Sequence, residues 1–324
     1  MKYAWSVNDV RVENEQLKEI YFGAYRFEEN DGYLEGYHFT TEQIEFLSSL
    51  TEFWAERCRV TNAKTLEFNT QATEFSFDYK VTPTPAMDTV ELVINGVLVK
   101  IYNTKEMEAE GKMVFEMPEG DKNVLVYLTG DCKIGIKNFE INAPYLPAVK
   151  GEKVLWMGDS ITQGYGTYRT SHMYVSSANR YLNYNIINQG LGGYRYDEKL
   201  LMEMPGYSPD KIIVAYGTNQ YKEENSCEAV ELFYKRIKEL YGNIPVLCIT
   251  PIWRGDQKET FDIFKGFGKN IMEICKEYSN IKVVDGLTLV PHLMEYFLDG
   301  LHPNELGGEV FGRNLVEEIR RLGF

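Results

Sequence analysis

No run of about 18 apolar residues occurs anywhere in the chain, so no segment reads as a membrane-spanning helix. The opening stretch MKYAWSVNDVRVENEQ carries acidic residues early and has no apolar core. It does not read as a signal peptide, which sets the expectation of a cytoplasmic protein. Cysteine is scarce. Its five copies, Cys58, Cys132, Cys227, Cys248 and Cys275, are odd in number and scattered, with no CxxC pair. No His/Cys cluster has zinc-ligand spacing, so neither a metal centre nor a disulfide framework is expected, and most of these cysteines read as small buried hydrophobes in a reducing compartment. Positive charge is in deficit, with 34 Lys and Arg against 48 Asp and Glu, for a net charge of -14. That balance argues against nucleic acid and against anionic membrane surfaces as partners. A P-loop, an HExxH pair and a GxSxG elbow are also missing. Gly190-Leu191-Gly192 is no dinucleotide fingerprint, because Arg195 stands where the third glycine is required. No cofactor is implied.

What remains is an ordinary globular composition, 44% hydrophobic and 25% charged over 324 residues, long enough for two domains. The two halves differ in rhythm. Up to about residue 142 the chain favours strands: 64–77 alternates apolar with polar as a strand pair should, and 90–102 is two β-rich runs around Asn95-Gly96, a hairpin signal. Segments 112–128 and 133–141 continue the pattern, and one helix over 41–57, with Thr41 as N-cap, interrupts it. An antiparallel β-sandwich of the jelly-roll sort is the expected result for residues 1–147. Its exposed edges leave room for a homo-oligomer.

Residues 143–147, APYLP, read as a linker to a second domain over 148–324. There, strand-like runs at 153–157, 185–188, 211–216, 245–249 and 282–284 alternate with helix-length segments at 171–182, 196–204, 227–241 and 258–278, and a last helix spans 304–322. Such alternation forces parallel pairing through right-handed crossovers, giving an α/β doubly wound sheet of about five strands. In such a sheet ligands bind beyond the carboxyl ends of the strands. The reactive residue types fall at those ends: Ser160 in GDSITQG after the first strand, Gly193 in NQGLGG after the second, Asn219 in GTN after the third, and Asp299 and His302 in DGLHP past the fifth.

Acyl transfer needs a nucleophile, a base, a group that orients the base, and donors for the developing oxyanion. Ser160 is the candidate nucleophile, His302 the base and Asp299 its orienting carboxylate. The N–H groups of Ser160 and Gly193 and the amide of Asn219 are candidate oxyanion donors. Pro303 suits the first position of the closing helix. The competing reading of Ser160 is a helix N-cap, that of Asp159 a structural charge at a helix start, and those of His38, His172 and His292 structural histidines. Trp253, Arg195 and Tyr194 are candidate substrate contacts set against plain packing roles.

With these residues the chain resembles the SGNH (GDSL-like) hydrolase family, whose signature blocks match Ser160, Gly193, Asn219 and His302 in order over about the last 175 residues. The resemblance implies a serine esterase. The all-β front half is similar to that of two-domain bacterial esterases of the family, several of which remove acetyl groups from plant polysaccharides. This implies a short-chain, acetyl-type ester on an oligosaccharide as substrate. Gln220 stands where many relatives carry Asp, which puts the hydrogen bonding around Asn219 in question. Two other readings use the same sequence: an O-acyltransferase with the same triad, and a silent carbohydrate-binding protein.

Overall fold

The computed structural model describes residues 10–82 and 88–324. In the front half the alternating runs become two antiparallel six-stranded sheets facing each other. One sheet is ordered Arg26–Asn30, Tyr33–Tyr37, Lys133–Ile141, Glu74–Thr82, Glu110–Glu116, with Val10–Val12 also on Lys133–Ile141. The other is ordered Tyr145–Pro147, Thr65–Thr70, Lys122–Tyr127, Thr89–Ile94, Val97–Asn103, with Tyr21–Phe22 on Thr65–Thr70. Inward-facing Phe68, Phe75, Phe115 and Phe139 fill the space between them, Phe75 and Phe115 stacking at 4.5 Å. The Asn95-Gly96 turn has positive φ at both positions, 50° and 79°, as the hairpin requires.

Three expectations for this half are corrected. Residues 64–77 do not pair with each other: Thr65–Thr70 lies in one sheet and Glu74–Thr82 in the other. Alternation identifies a half-buried strand but not its partner, and consecutive strands of a sandwich can cross between layers. The 41–57 helix is two helices, Thr41–Leu50 and Glu52–Arg57, broken at Thr51, which is extended and accepts from the Trp54 N–H. The first is capped by Thr40, not Thr41, in a reciprocal box with Gln43. Lastly, Tyr145–Pro147 is not free linker but an edge strand on Thr65–Thr70, where proline is tolerated because its missing N–H faces outward.

The second half is a five-stranded parallel sheet ordered Asn185–Gly190, Lys153–Gly158, Lys211–Ala215, Val246–Ile249, Ile281–Val284. Residues alternate sides along Lys153–Gly158. Val154 and Trp156 face the helices Tyr174–Leu182 and Glu305–Leu322, whereas Leu155 and Met157 face Ser226–Tyr241 and Phe261–Cys275. The front-half residues Phe39, Ile44 and Leu47 join that second cluster, so the halves share a core. The helix expected over 196–204 is only a single 3-10 turn, Glu198–Leu200. Gln220 takes the Tyr196 N–H, Asp197 takes the Lys199 N–H, and Pro205 biases Met204 away from helix. Pro303 precedes the N-cap Asn304, so it lies outside the closing helix instead of at its first position. Cys58, Cys132, Cys248 and Cys275 are buried and all five cysteines are free thiols. No helix among the described residues is long and apolar enough to cross a membrane.

A second junction ties the halves together. Glu91, with a fully buried side chain, accepts from the Arg169 guanidinium at 2.6 Å and from the Ser171 N–H and hydroxyl at 3.0 and 2.8 Å. Asp88 beside it accepts from the N–H groups of Thr89, Gly130, Asp131 and Cys132. Removing the Glu91 carboxylate takes the anion from the Arg169 guanidinium and the acceptor from the Ser171 N–H and the Ser171 and Thr89 hydroxyls. Glu91→Ala is therefore expected to lose on the order of 3 kcal/mol of stability in urea unfolding, whereas an exposed carboxylate such as Glu116→Ala is expected to lose less than about 0.5 kcal/mol.

Candidate active site

The Lys153–Gly158 strand ends where space is tightest. A Cβ on Gly158 would collide with the Thr162 side chain and the Ala215 carbonyl, and one on Gly190 with the Gln163 backbone. These two glycines let the one-turn helix Ser160–Gln163 sit directly on the strand ends. Its N-cap is Asp159, whose carboxylate accepts from the Ile161 N–H at 3.0 Å. The capping reading of Ser160 therefore passes to Asp159, and the Ser160 hydroxyl is left for other work. Burial pushes the Asp159 carboxyl up to about 7, against the opposing pull of the Ile161 N–H and of Arg254.

The Ser160 Oγ lies 2.8 Å from His302 Nε2, and His302 Nδ1 lies 2.8 Å from Asp299 Oδ2. The other Asp299 oxygen accepts from the His302 and Leu301 N–H groups at 2.8 and 3.0 Å. Partial burial pushes the Asp299 carboxyl up, but those donors and the imidazole outweigh it and hold it below the usual carboxylate range. His302 sits in a narrow return: Leu298 N–H donates to its carbonyl at 2.8 Å, and Phe297 bridges Pro303. Behind it, Gly166 comes so close that a Cβ there would lie 2.8 Å from the His302 Cβ. The Tyr165 ring stands edge-on to the imidazole at 4.7 Å. An imidazole bonded on one side to a hydroxyl and on the other to a carboxylate can take the hydroxyl proton and be stabilised as it charges.

The three candidate oxyanion donors follow the first three strands of the sheet. Among the described residues, neither the Ser160 nor the Gly193 N–H donates to a protein acceptor. Gly193 is exposed with φ +69°, a conformation that favours glycine. Asn219 is exposed and gives one amide proton to the Tyr194 carbonyl at 2.8 Å, and among the described residues the second has no acceptor. Gln220, in the position of the family's frequent Asp, turns away and accepts from the Tyr196 N–H at 2.6 Å.

The expected substrate contacts fare differently. Tyr194 is buried, its hydroxyl on Asp197 and its ring edge-on to Trp54, so only its backbone reaches the Asn219 amide. Arg195 is exposed and pairs with Glu223 at 2.6 Å. Trp253 is half-buried, stacked on His292 at 5.5 Å and packed on Phe297. Arg254 is tied to Asp256 and to the Thr218 carbonyl. His38 is buried against the Lys64 amine, and the His172 carbonyl packs at Gly308 of the closing helix. The sequence reading missed four residues at this edge. Gln163 holds the Gly192 N–H at 2.8 Å, and Tyr165 packs on His302. Phe53 lies against Gly192 and Gly193, and Trp54 donates to the Gly192 carbonyl. Gln163 was findable inside the GDSITQG block; Phe53 and Trp54, in the front half, carry no such signal.

Residues 156–310 match the family model described as the GDSL-like Lipase/Acylhydrolase family. No curated protein matches the chain. Among solved structures, the salicylyl-acyltransferase SsfX3 from a tetracycline biosynthetic pathway is similar at 17% identity and a TM-score of 0.77, with 98% of this chain and 97% of that one covered. The acetyl xylan esterase Est2A from the rumen bacterium Butyrivibrio proteoclasticus is similar at 15% identity and a TM-score of 0.67, covering 98% of each chain. A family two carbohydrate esterase from Clostridium thermocellum, in complex with cellohexaose, is similar at 15% identity and a TM-score of 0.64, covering 82% of this chain and 94% of that one. These likenesses extend the shared fold across both halves. Residues 156–310, just under half of the chain, thus match the GDSL-like lipase/acylhydrolase family, and that match supports an esterase or acylhydrolase by class.

Proposed function

We propose that the protein is a serine esterase that removes short acyl groups, acetyl above all, from carbohydrate. The reading is carried by the two successive 2.8 Å hydrogen bonds from Ser160 through His302 to Asp299. Ser160 Oγ attacks the ester carbonyl as His302 Nε2 takes its proton, and Asp299 holds the ring and offsets its positive charge. The Ser160 and Gly193 N–H groups and the free amide proton of Asn219 receive the oxyanion. On collapse, His302 returns the proton to the leaving sugar hydroxyl, and Ser160 keeps the acyl group. Water, deprotonated by His302, then releases the acid and restores the serine. The carbohydrate assignment is supported by the acetyl xylan esterase and carbohydrate esterase among the structural neighbours. The salicylyl-acyltransferase neighbour favours a second reading, in which a hydroxyl acceptor replaces water in the last step. Product analysis with and without sugar acceptors separates the two.

Ser160→Ala is expected to lower kcat/KM on p-nitrophenyl acetate and on acetylated xylo-oligosaccharides by about 10⁴-fold or more, and rates equal to wild type would remove the esterase assignment. Asp299→Asn keeps the shape but presents the wrong hydrogen-bonding pattern to Nδ1. A loss in kcat between about 10² and 10⁴ is expected in steady-state assays.

Asp159 takes no part in this scheme beyond its cap, so Asp159→Asn, an equally good N-cap, should keep kcat within about tenfold. Its signature lies in stability. The carboxyl titrates near 7 when folded, above the roughly 3.9 of an unfolded aspartate, so the folded state binds the extra proton between those values. The stability this brings is complete below about pH 4 and is lost as pH rises through about 7. The asparagine variant, which cannot titrate there, should gain on wild type across that window, by on the order of 4 kcal/mol at most. Urea unfolding of both proteins at pH 5 and pH 8 reads the difference.

A further inference from the structure

We propose that Trp54, in the front half of the chain, is a positioning residue for the oxyanion donor at Gly193; this rests on the ester-cleaving reading above. The Trp54 indole N–H donates to the Gly192 carbonyl at 2.9 Å. That carbonyl and the Gly193 N–H belong to one trans peptide group, so they point in opposite directions. Holding the carbonyl on the front-half side therefore aims the N–H at the opposite side. The plane needs holding, because it lies between two glycines, one at φ +69°, and can rotate with little steric resistance. A half-turn would present a carbonyl oxygen where the oxyanion forms, replacing a donor by a repelling acceptor. The neighbouring Gly192 N–H is held separately by Gln163 Oε1, and among the described residues Trp54 is the one donor to the Gly192 carbonyl.

Trp54 is itself fixed from several sides. Its helix, Glu52–Arg57, starts at Thr51, whose hydroxyl accepts from the Trp54 N–H at 3.1 Å. The indole stands edge-on to Tyr194 at 5.0 Å. At the other end of the helix, the Arg57 carbonyl accepts from Gln163 Nε2 at 3.2 Å, while its guanidinium pairs with Asp131 in the loop whose N–H groups Asp88 gathers. Phe53 rests against the same Gly192–Gly193 turn. A continuous chain of contacts thus runs from the sandwich to the oxyanion loop, and it gives the front half a part in the chemistry.

The test compares wild type with Trp54→Phe, and with a protein carrying the benzothiophene isostere of tryptophan at position 54, which keeps the ring and loses only the N–H. Active sites are counted by fluorophosphonate titration, so unfolded protein does not enter the rate. For both changes kcat per active site is expected to fall about 10- to 100-fold with KM within about threefold, and affinity for a trifluoromethyl ketone, which forms a tetrahedral adduct on the serine, to fall by a similar factor. A purely structural role would lower the melting temperature and the titrated fraction and leave kcat per site intact. An isostere protein with kcat within about twofold of wild type overturns the proposal. Ser160→Ala run in parallel separates the failures: an active alanine variant removes the esterase reading, whereas an inactive one beside an unaffected isostere removes only the role of Trp54.

Discussion

The hydrogen bond between Ser160 Oγ and His302 Nε2 closes 142 residues of chain over 2.8 Å, and most of the second half can be understood as what makes that closure possible. Both groups lie at the carboxyl edge of one parallel sheet, the serine directly past a strand end and the histidine on the return that leads into the closing helix. Parallel pairing puts every strand's carboxyl end on the same side, so residues far apart in sequence meet there without any local signal between them. Close approach does the rest. Gly158 and Gly190 allow the Ser160 helix to settle on the sheet, and Gly166 allows the following loop to back the histidine.

Polar groups around this edge divide into those with partners and those left open. Asp159, next to Ser160 in the chain, is consumed by its cap and by burial, and Asp299 by the imidazole and two N–H groups. Among the described residues, the N–H groups of Ser160 and Gly193 and one proton of Asn219 have no protein acceptor. In the reading proposed above, donors left open beside a hydroxyl already bonded to a base suit negative charge that appears during reaction.

The front half touches this site by two routes. Through Glu91 and Asp88 it grips the loop around Arg169 and Ser171, which lies between the Ser160 helix and the helix Tyr174–Leu182. Through the helix Glu52–Arg57 it reaches the Gly192–Gly193 turn from the other side. The sandwich and the sheet also share apolar contacts through Phe39, Ile44 and Leu47, so the two halves are built as one packed body.

Local rules carried the parallel-sheet half far. Five strands with alternating helices, a serine, glycine, asparagine and aspartate–histidine at strand ends, and a glycine-dependent hairpin at Asn95-Gly96 were all legible, because each depends on periodicity or on backbone freedom that the residue itself sets. The family resemblance rested on those same blocks. Pairing was not legible: Thr65–Thr70 and Glu74–Thr82 alternate alike yet enter different sheets, and Tyr145–Pro147 looked like linker until an edge accepted it. The 196–204 segment has the length of a helix but gives N–H groups to Asp197 within it and to Gln220, a partner only the fold supplies. Sequence alone therefore determined which residue types stand at which strand ends, since those follow from side-chain order and local period. Tertiary structure decided which peptide groups are held, by what, and from which half, because a hydrogen bond such as that from Trp54 to Gly192 spans 138 residues and leaves no mark in the chain's own pattern.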